Sequence, residues 1–189
     1  MRHAMRLVPI LLALTVSVAA ADSVVGIGIF GGVGKPTGGE WKLTNESKTG
    51  FNMGFRIPMA FSSAFSLEPF AERTEGRIGD AYHGSLDGYD VNSYGLNLGI
   101  GRLVTNHGGL HVTPFVGGMM SRLRRELAPN ANQFGWQGGL QIGLHGSETT
   151  HWDLRGAYQS LSKMDKWGEL KARNYLNISL GLTCVVAPR

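Results

Sequence analysis

The sequence has 189 residues, 28 of them glycine, with 17% charged residues and a formal net charge of +4. Its single cysteine, Cys184, excludes an internal disulfide. The glycines recur at strand-like spacing rather than in a low-complexity run, and beyond residue 21 no apolar stretch approaches the roughly 20 residues that a membrane-spanning helix needs.

Residues 1–21 read as a secretory signal peptide. Arg2 and Arg6 supply the positive start, 7–18 an apolar run too short to span, and Ala19-Ala20-Ala21 a small-residue cleavage site before Asp22. Cleavage there leaves 16 basic against 14 acidic residues, so the formal charge falls from +4 to +2. Export also takes the chain away from nucleic acid. Residues 22–189 then form one domain.

From Val24 onward the chain alternates with a period of two, the mark of strands with unlike faces. Residues 24–34 set Val25, Ile27, Ile29 and Val33 against Gly26, Gly28 and Gly32. Residues 50–61 set Phe51, Met53, Phe55 and Ile57 against Asn52, Gly54 and Arg56, and 65–73 set Phe65, Leu67 and Pro69 against Ser66, Glu68 and Glu72. Strands follow over 89–104 (Tyr94, Leu96, Leu98, Ile100) and, less regularly, over 110–122, where Gly117-Gly118 suggests a bulge. The clearest alternation is at 134–145, where Phe134, Trp136, Leu140 and Ile142 oppose Gly135, Gln137, Gly139 and Gln141. Strands over 152–162 and 173–186 complete a set of eight.

The connections alternate in length. Those at 62–64, 105–109 and 146–150 are short; those at 35–48, 74–88, 123–132 and 163–170 are long and polar. Short turns on one side and long loops on the other fit an up-and-down barrel crossing a bilayer, with its apolar phase turned out to lipid. Phe51, Tyr94, Phe134 and Trp136 then fall near one interface, and Phe61, Phe65 and Trp152 near the other, as two aromatic girdles.

In strand number, loop asymmetry and leader, the chain resembles the small eight-stranded outer-membrane barrels of Gram-negative bacteria, such as the OmpA transmembrane domain and the opacity-type surface proteins. Ser179, Gly181, Cys184 and Val186 match the spacing of the family's C-terminal assembly signal, although neither apolar position is aromatic and Ala187-Pro188-Arg189 follows. The resemblance implies an all-β, eight-stranded antiparallel up-and-down transmembrane barrel in the outer membrane, with a structural or surface-interaction role. It implies as partners membrane lipid, lipopolysaccharide and the barrel-assembly machinery, with a surface ligand or host factor at the loops.

Two constellations follow. Arg56, Glu68, Glu72, Asn97, Gln137, Gln141, Asp153, Arg155 and Gln159 share the interior phase, where charges of both signs would pair as a plug or re-pair as a narrow gate. Arg122, Arg124, Arg125, Lys163, Lys166, Lys171 and Arg173 cluster near the external rim, where arginine suits lipid phosphate.

Two other readings stay open. A lipid A deacylase would carry His-x-Ser on the penultimate strand, but Tyr158-Gln159-Ser160 stands there; His83-Gly84-Ser85 and His145-Gly146-Ser147 read as turn sequences. A soluble lipocalin-like barrel binding an apolar ligand would reverse the two phases. His107, His111, His145 and His151 lie near periplasmic ends, but nothing in their spacing demands a metal, and no metal or cofactor is expected. The glycine-rich 26–35 lacks the ending of a phosphate-binding loop.

Overall fold

The computed structural model describes residues 24–38, 49–61, 64–79, 86–104, 109–125, 128–147, 149–162 and 173–186. The expected leader at 1–21 lies outside them. The strands are β1 (Val24–Gly38), β2 (Gly50–Arg56), β3 (Met59–Ala60), β4 (Phe65–Gly79), β5 (Leu86–Ile100), β6 (Leu110–Arg125), β7 (Ala128–Ser147), β8 (Thr150–Leu161) and β9 (Arg173–Val186). Each pairs antiparallel with its neighbour, and β1 pairs with β9, so the sheet closes on itself. Strands β2 and β3 are one stave: Arg56 pairs with Gly28 and Met59 with Val25 in unbroken register. Pro58 interrupts it because proline has no N–H for the ladder, while its carbonyl still accepts from Gly26 N at 2.8 Å. The architecture is thus a closed barrel of eight staves.

Closure decides which phase faces out. Ile29, Phe55, Leu96, Val116, Leu140, Leu154 and Ile178 are all exposed on the outer wall, while Arg56, Glu68, Asn97, Gln141 and Asp153 are buried inside. An apolar band of this kind is stable only against an apolar surrounding. The lipocalin-like reading needs the opposite phase, and the burial pattern overturns it. No helix among the described residues is long and apolar enough to cross a membrane.

Three expectations are corrected. First, the long connections at 74–88 and 123–132 are mostly strand. The β4–β5 ladder continues to Gly79↔Leu86, and the β6–β7 ladder to Arg125↔Ala128 after a register shift at Leu123/Arg125. Side-chain polarity does not end a hairpin whose two faces are both free to be polar, so polarity misplaced those strand ends. Second, Gly117-Gly118 is not a bulge: they pair in register with Asn97 and Leu96. A Cβ on Gly117 would overlap Asn97, so this glycine makes room for a lumen side chain. Third, β5 stops at Ile100. Gly101 takes φ +112°, a left-handed conformation that suits glycine, and the chain turns inward so that Leu103 and Val104 are buried.

The interior is layered. Val24, Ala60, Val104 and Val185 cluster at the end that carries the short turns and the β1 and β9 termini. Phe70, Val91, Met119, Leu123, Leu161 and Tyr175 cluster toward the hairpin end. A third cluster, Leu103, Phe115 and Ala157, shares the middle of the lumen with the charged and amide side chains, Phe115 lying against Arg155.

Candidate functional site

Three strands, β2, β4 and β8, supply the charges of the lumen. Glu68 is its hub. Both Glu68 oxygens accept from Arg155, Oε1 from Nη1 at 2.6 Å and Oε2 from Nη2 at 2.8 Å, in the planar two-point match that suits guanidinium to carboxylate. Arg56 Nε lies 3.8 Å from Glu68 Oε2, and Arg56 Nη2 is paired with Asp153. Arg155 Nη2 also donates to Gln141 Oε1 at 2.6 Å, and its guanidinium sits 4.5 Å from the centre of the Phe115 ring.

The amides follow the sheet register. Glu68, Asn97, Gly117, Gln137 and Gln159 form one row across β4 to β8. Asn97 donates to Glu68 at 2.9 Å, Gln137 to Asn97 at 2.7 Å and Gln159 to Gln137 at 3.0 Å. Gln137 reaches Asn97 because Gly117, the residue between them, has no side chain. Gln159 also donates to Glu72 at 2.5 Å. The row therefore joins two buried carboxylates through three amides.

The inward turn is tied to the same lumen. Ser66 Oγ donates to Gly101 O at 2.8 Å and accepts from Leu103 N at 3.2 Å; Thr113 Oγ1 donates to Arg102 O and Gln141 Nε2 to Leu103 O, both at 2.7 Å. These bonds satisfy backbone groups that a buried loop would otherwise leave unpaired. The eight interior residues Arg56, Glu68, Glu72, Gln137, Gln141, Asp153, Arg155 and Gln159 are all buried. Sequence reading missed Leu103 and Val104, taken for strand. It also missed the upper apolar cap, which the same alternation reveals when carried on to Val91 and Leu123.

Glycine shapes the Arg56–Asp153 pair as well. A Cβ on Gly181 would overlap Arg56 Nη2 and lie 2.9 Å from Asp153 Oδ2, whereas a Cβ on Gly118 meets nothing within 4 Å. Gly181→Val is therefore expected to destabilise the barrel by about 1–3 kcal/mol, as overpacking does, and Gly118→Ala to leave it unchanged. The midpoint of urea unfolding in detergent micelles measures both. Equal midpoints for the two variants would count against a cradle at Gly181.

The deacylase-like stretch carries no base. Gln159 faces the lumen and is engaged by Glu72 and Gln137. His83, Ser85 and His107 lie outside the described residues.

The basic rim differs in place from its expectation. Arg122 and Arg124 sit on β6, not in a loop, and both are exposed; Arg125 pairs in the ladder with Tyr89 and Ala128. Arg173 opens β9. Lys163, Lys166 and Lys171 lie outside the described residues. Across four strands, Arg73, Asn92, Arg122 and Asn132 form one row. The outward row two residues nearer the barrel centre is Ala71, Tyr94, Met120 and Phe134, with Phe134 69% exposed. At about 3.4 Å per residue, the arginines stand roughly 7 Å beyond that aromatic row along the strands. Arg73 pairs with Glu75 at 2.5 Å and Asp90 at 3.1 Å, whereas Arg122 and Arg124 have no ion pair among the described residues. Sequence reading overlooked Arg73, although it lies on the same outward phase as Phe65 and Leu67.

The model of the outer membrane protein beta-barrel domain matches residues 7–183. Among solved structures, the chain is similar to Neisserial surface protein A, at 13% identity and TM-score 0.53, covering 87% of this chain and 97% of that one. It is also similar to the outer membrane protein OprG from Pseudomonas aeruginosa, at 12% identity and TM-score 0.52, covering 89% of this chain and 97% of that one. At these identities the likeness is one of fold. No curated protein matches the sequence.

Proposed function

The chain belongs to the outer membrane protein β-barrel domain family and resides in the Gram-negative outer membrane; from that premise we propose that it is a plugged surface barrel that seats itself against lipopolysaccharide phosphate. The lumen carries the first half of this reading. A polar network of paired charges and amides, closed by an apolar cluster at each end, is a structural plug rather than a water path. Eight staves enclose only enough room for their own side chains.

The exposed row at the hairpin end supports the second half. Tyr94 and Phe134 sit at the level of an interfacial girdle, and Arg122 and Arg124 rise from the same outer face just beyond it. That is the depth at which lipid A phosphates lie, and a guanidinium meets phosphate with two parallel hydrogen bonds. Arg125, Lys163 and Lys166 would add charge to the same rim. The paired hairpins of β4–β5 and β6–β7 continue past the girdle, and a surface ligand or host factor would meet the barrel there. The leader at 1–21 would deliver the chain to the periplasm, and the C-terminal spacing at Ser179–Val186 would hand it to the barrel-assembly machinery.

The test compares the refolded barrel with intact and with dephosphorylated lipid A, reading the temperature at which the folded gel band is lost. Intact lipid A is expected to raise that temperature for wild type. Dephosphorylated lipid A, or the double change Arg122→Ser and Arg124→Ser, should remove the increment, at about 0.2–1 kcal/mol for each exposed ion pair. An equal increment in all arms would sink the phosphate reading.

A further inference from the structure

We propose that His111 and His151 form an open two-imidazole site for a first-row transition-metal ion of the Zn²⁺ class, at the periplasmic end of the lumen. Their rings come from β6 and β8 and face each other across β7, with centroids 4.8 Å apart and planes tilted by 39°. Two imidazoles bound to one ion at 2.0–2.1 Å, in adjacent tetrahedral positions, place their ring centres about 5 Å apart. The observed separation already fits a shared ion.

The pair meets because β7 offers no side chain between them. His111 pairs in register with Gly143, and Gly143 with Asp153. A Cβ on Gly143 would overlap the Cε1–Nε2 edge of His111 and lie 2.7 Å from His151 Cε1. Any other residue at 143 would fill the space in which the rings approach.

His151 is 0% exposed. All four ring nitrogens of His111 and His151 are buried, and none meets a hydrogen-bond partner among the described residues. A neutral imidazole has one donor and one acceptor nitrogen, and a buried polar atom left alone is costly. Gln141 reaches Leu103 O and Asn97 reaches Glu68, whereas Asn52, Gln133 and Asn177 also leave buried polar atoms without a partner among the described residues; His111 and His151 differ in being two such groups with their rings in contact. Two adjacent histidines with no partner among the described residues at any nitrogen are suited to a ligand that takes imidazole nitrogen. Asp153 Oδ1, two residues from His151 on the same face of β8, is also buried and without a partner.

Among the described residues no three His, Cys, Asp or Glu side chains already surround one point. The ion would keep water in its remaining positions, which makes the site exchangeable rather than a closed structural centre. His111 as a residue is only partly buried, although its ring nitrogens are covered.

The experiment uses tag-free barrel refolded in detergent and stripped with chelator. Co²⁺ is titrated while its visible absorption is followed, and Zn²⁺ is then added as competitor. Wild type is expected to take up one equivalent with the intense band of a four-coordinate site, and Zn²⁺ to abolish it. His111→Gln and His151→Gln should each weaken binding by at least about tenfold. Retention of the heat-modifiable gel shift confirms that the variants fold. As a measurement independent of any variant, the Cε1–H resonances of His111 and His151 should move together when Zn²⁺ is added to wild type. No uptake by wild type at millimolar Co²⁺, variants that bind as wild type does, or Zn²⁺ shifts confined to other histidines would each overturn the site.

Discussion

Glu68→Gln should cost the barrel about 3–5 kcal/mol, the usual penalty for removing one partner of a buried ion pair. The substituted side chain fills the same volume, so the loss would arise from charge and not from a cavity. Arg155 would keep its bond to Gln141 but lose its two-point partner, and Arg56 would be left with Asp153 alone. Arg56 and Arg155 face the buried carboxylates of Glu68 and Asp153, with Glu72 at the far end of the amide row, and the variant removes one of these negative charges from a low-dielectric lumen. The comparison that isolates this effect pairs Glu68→Met with Arg155→Met. Each single change should be severe, and the double change should recover much of the loss, because replacing both partners removes the desolvation penalty along with the attraction. Unfolding by urea from lipid vesicles, followed by tryptophan fluorescence, reads all three. A Glu68→Gln midpoint equal to that of wild type would mean that the hub contributes nothing measurable to holding the lumen together.

The second large effect belongs to the outer wall. Leu180 is 66% exposed and lies midway along β9, paired with Leu154 on one side and Gly31 on the other. Leu180→Arg places a charge against hydrocarbon near the midplane and should cost about 2–4 kcal/mol; Val186→Arg, on the same strand and face but at its periplasmic end, should cost about 0–1 kcal/mol. In a water-soluble barrel both would be tolerated alike, so the difference between the two sites is the informative quantity. It is read from the fraction of each variant that gains protease resistance and gel heat-modifiability after refolding into vesicles. If Leu180→Arg assembles as well as Val186→Arg, the depth assigned to β9 is wrong.

The two predictions differ in how far the sequence alone could carry them. Leu180 stands on an alternation that runs from Tyr175 to Val186, and the face a strand turns to its surroundings is a property of that strand. The same holds for Arg56, Glu68, Gln137, Asp153 and Arg155, whose inward phase follows from counting by two. Strand ends were harder to read. A hairpin such as β6–β7 continues past the point where its outward residues turn polar, because backbone pairing does not need an apolar face. The segment 101–104 was unreadable for another reason: Leu103 and Val104 look like two more residues of β5, and only the turn at Gly101 and the bonds from Ser66, Thr113 and Gln141 draw them inside.

Local periodicity, then, is enough to specify a strand-built barrel with an apolar exterior and a charged interior, because burial phase repeats within each strand. Which charge meets which is a matter of closure. Glu68 and Arg155 are 87 residues apart and Arg56 and Asp153 are 97 apart, and each pair forms only when the sheet curls far enough to bring non-adjacent strands face to face. The amide row from Glu68 to Gln159 needs the register of four ladders at once, and the His111–His151 pair needs a glycine on the strand between them. These contacts depend on shear, curvature and the absence of intervening side chains, which are properties of the closed sheet and of no single strand.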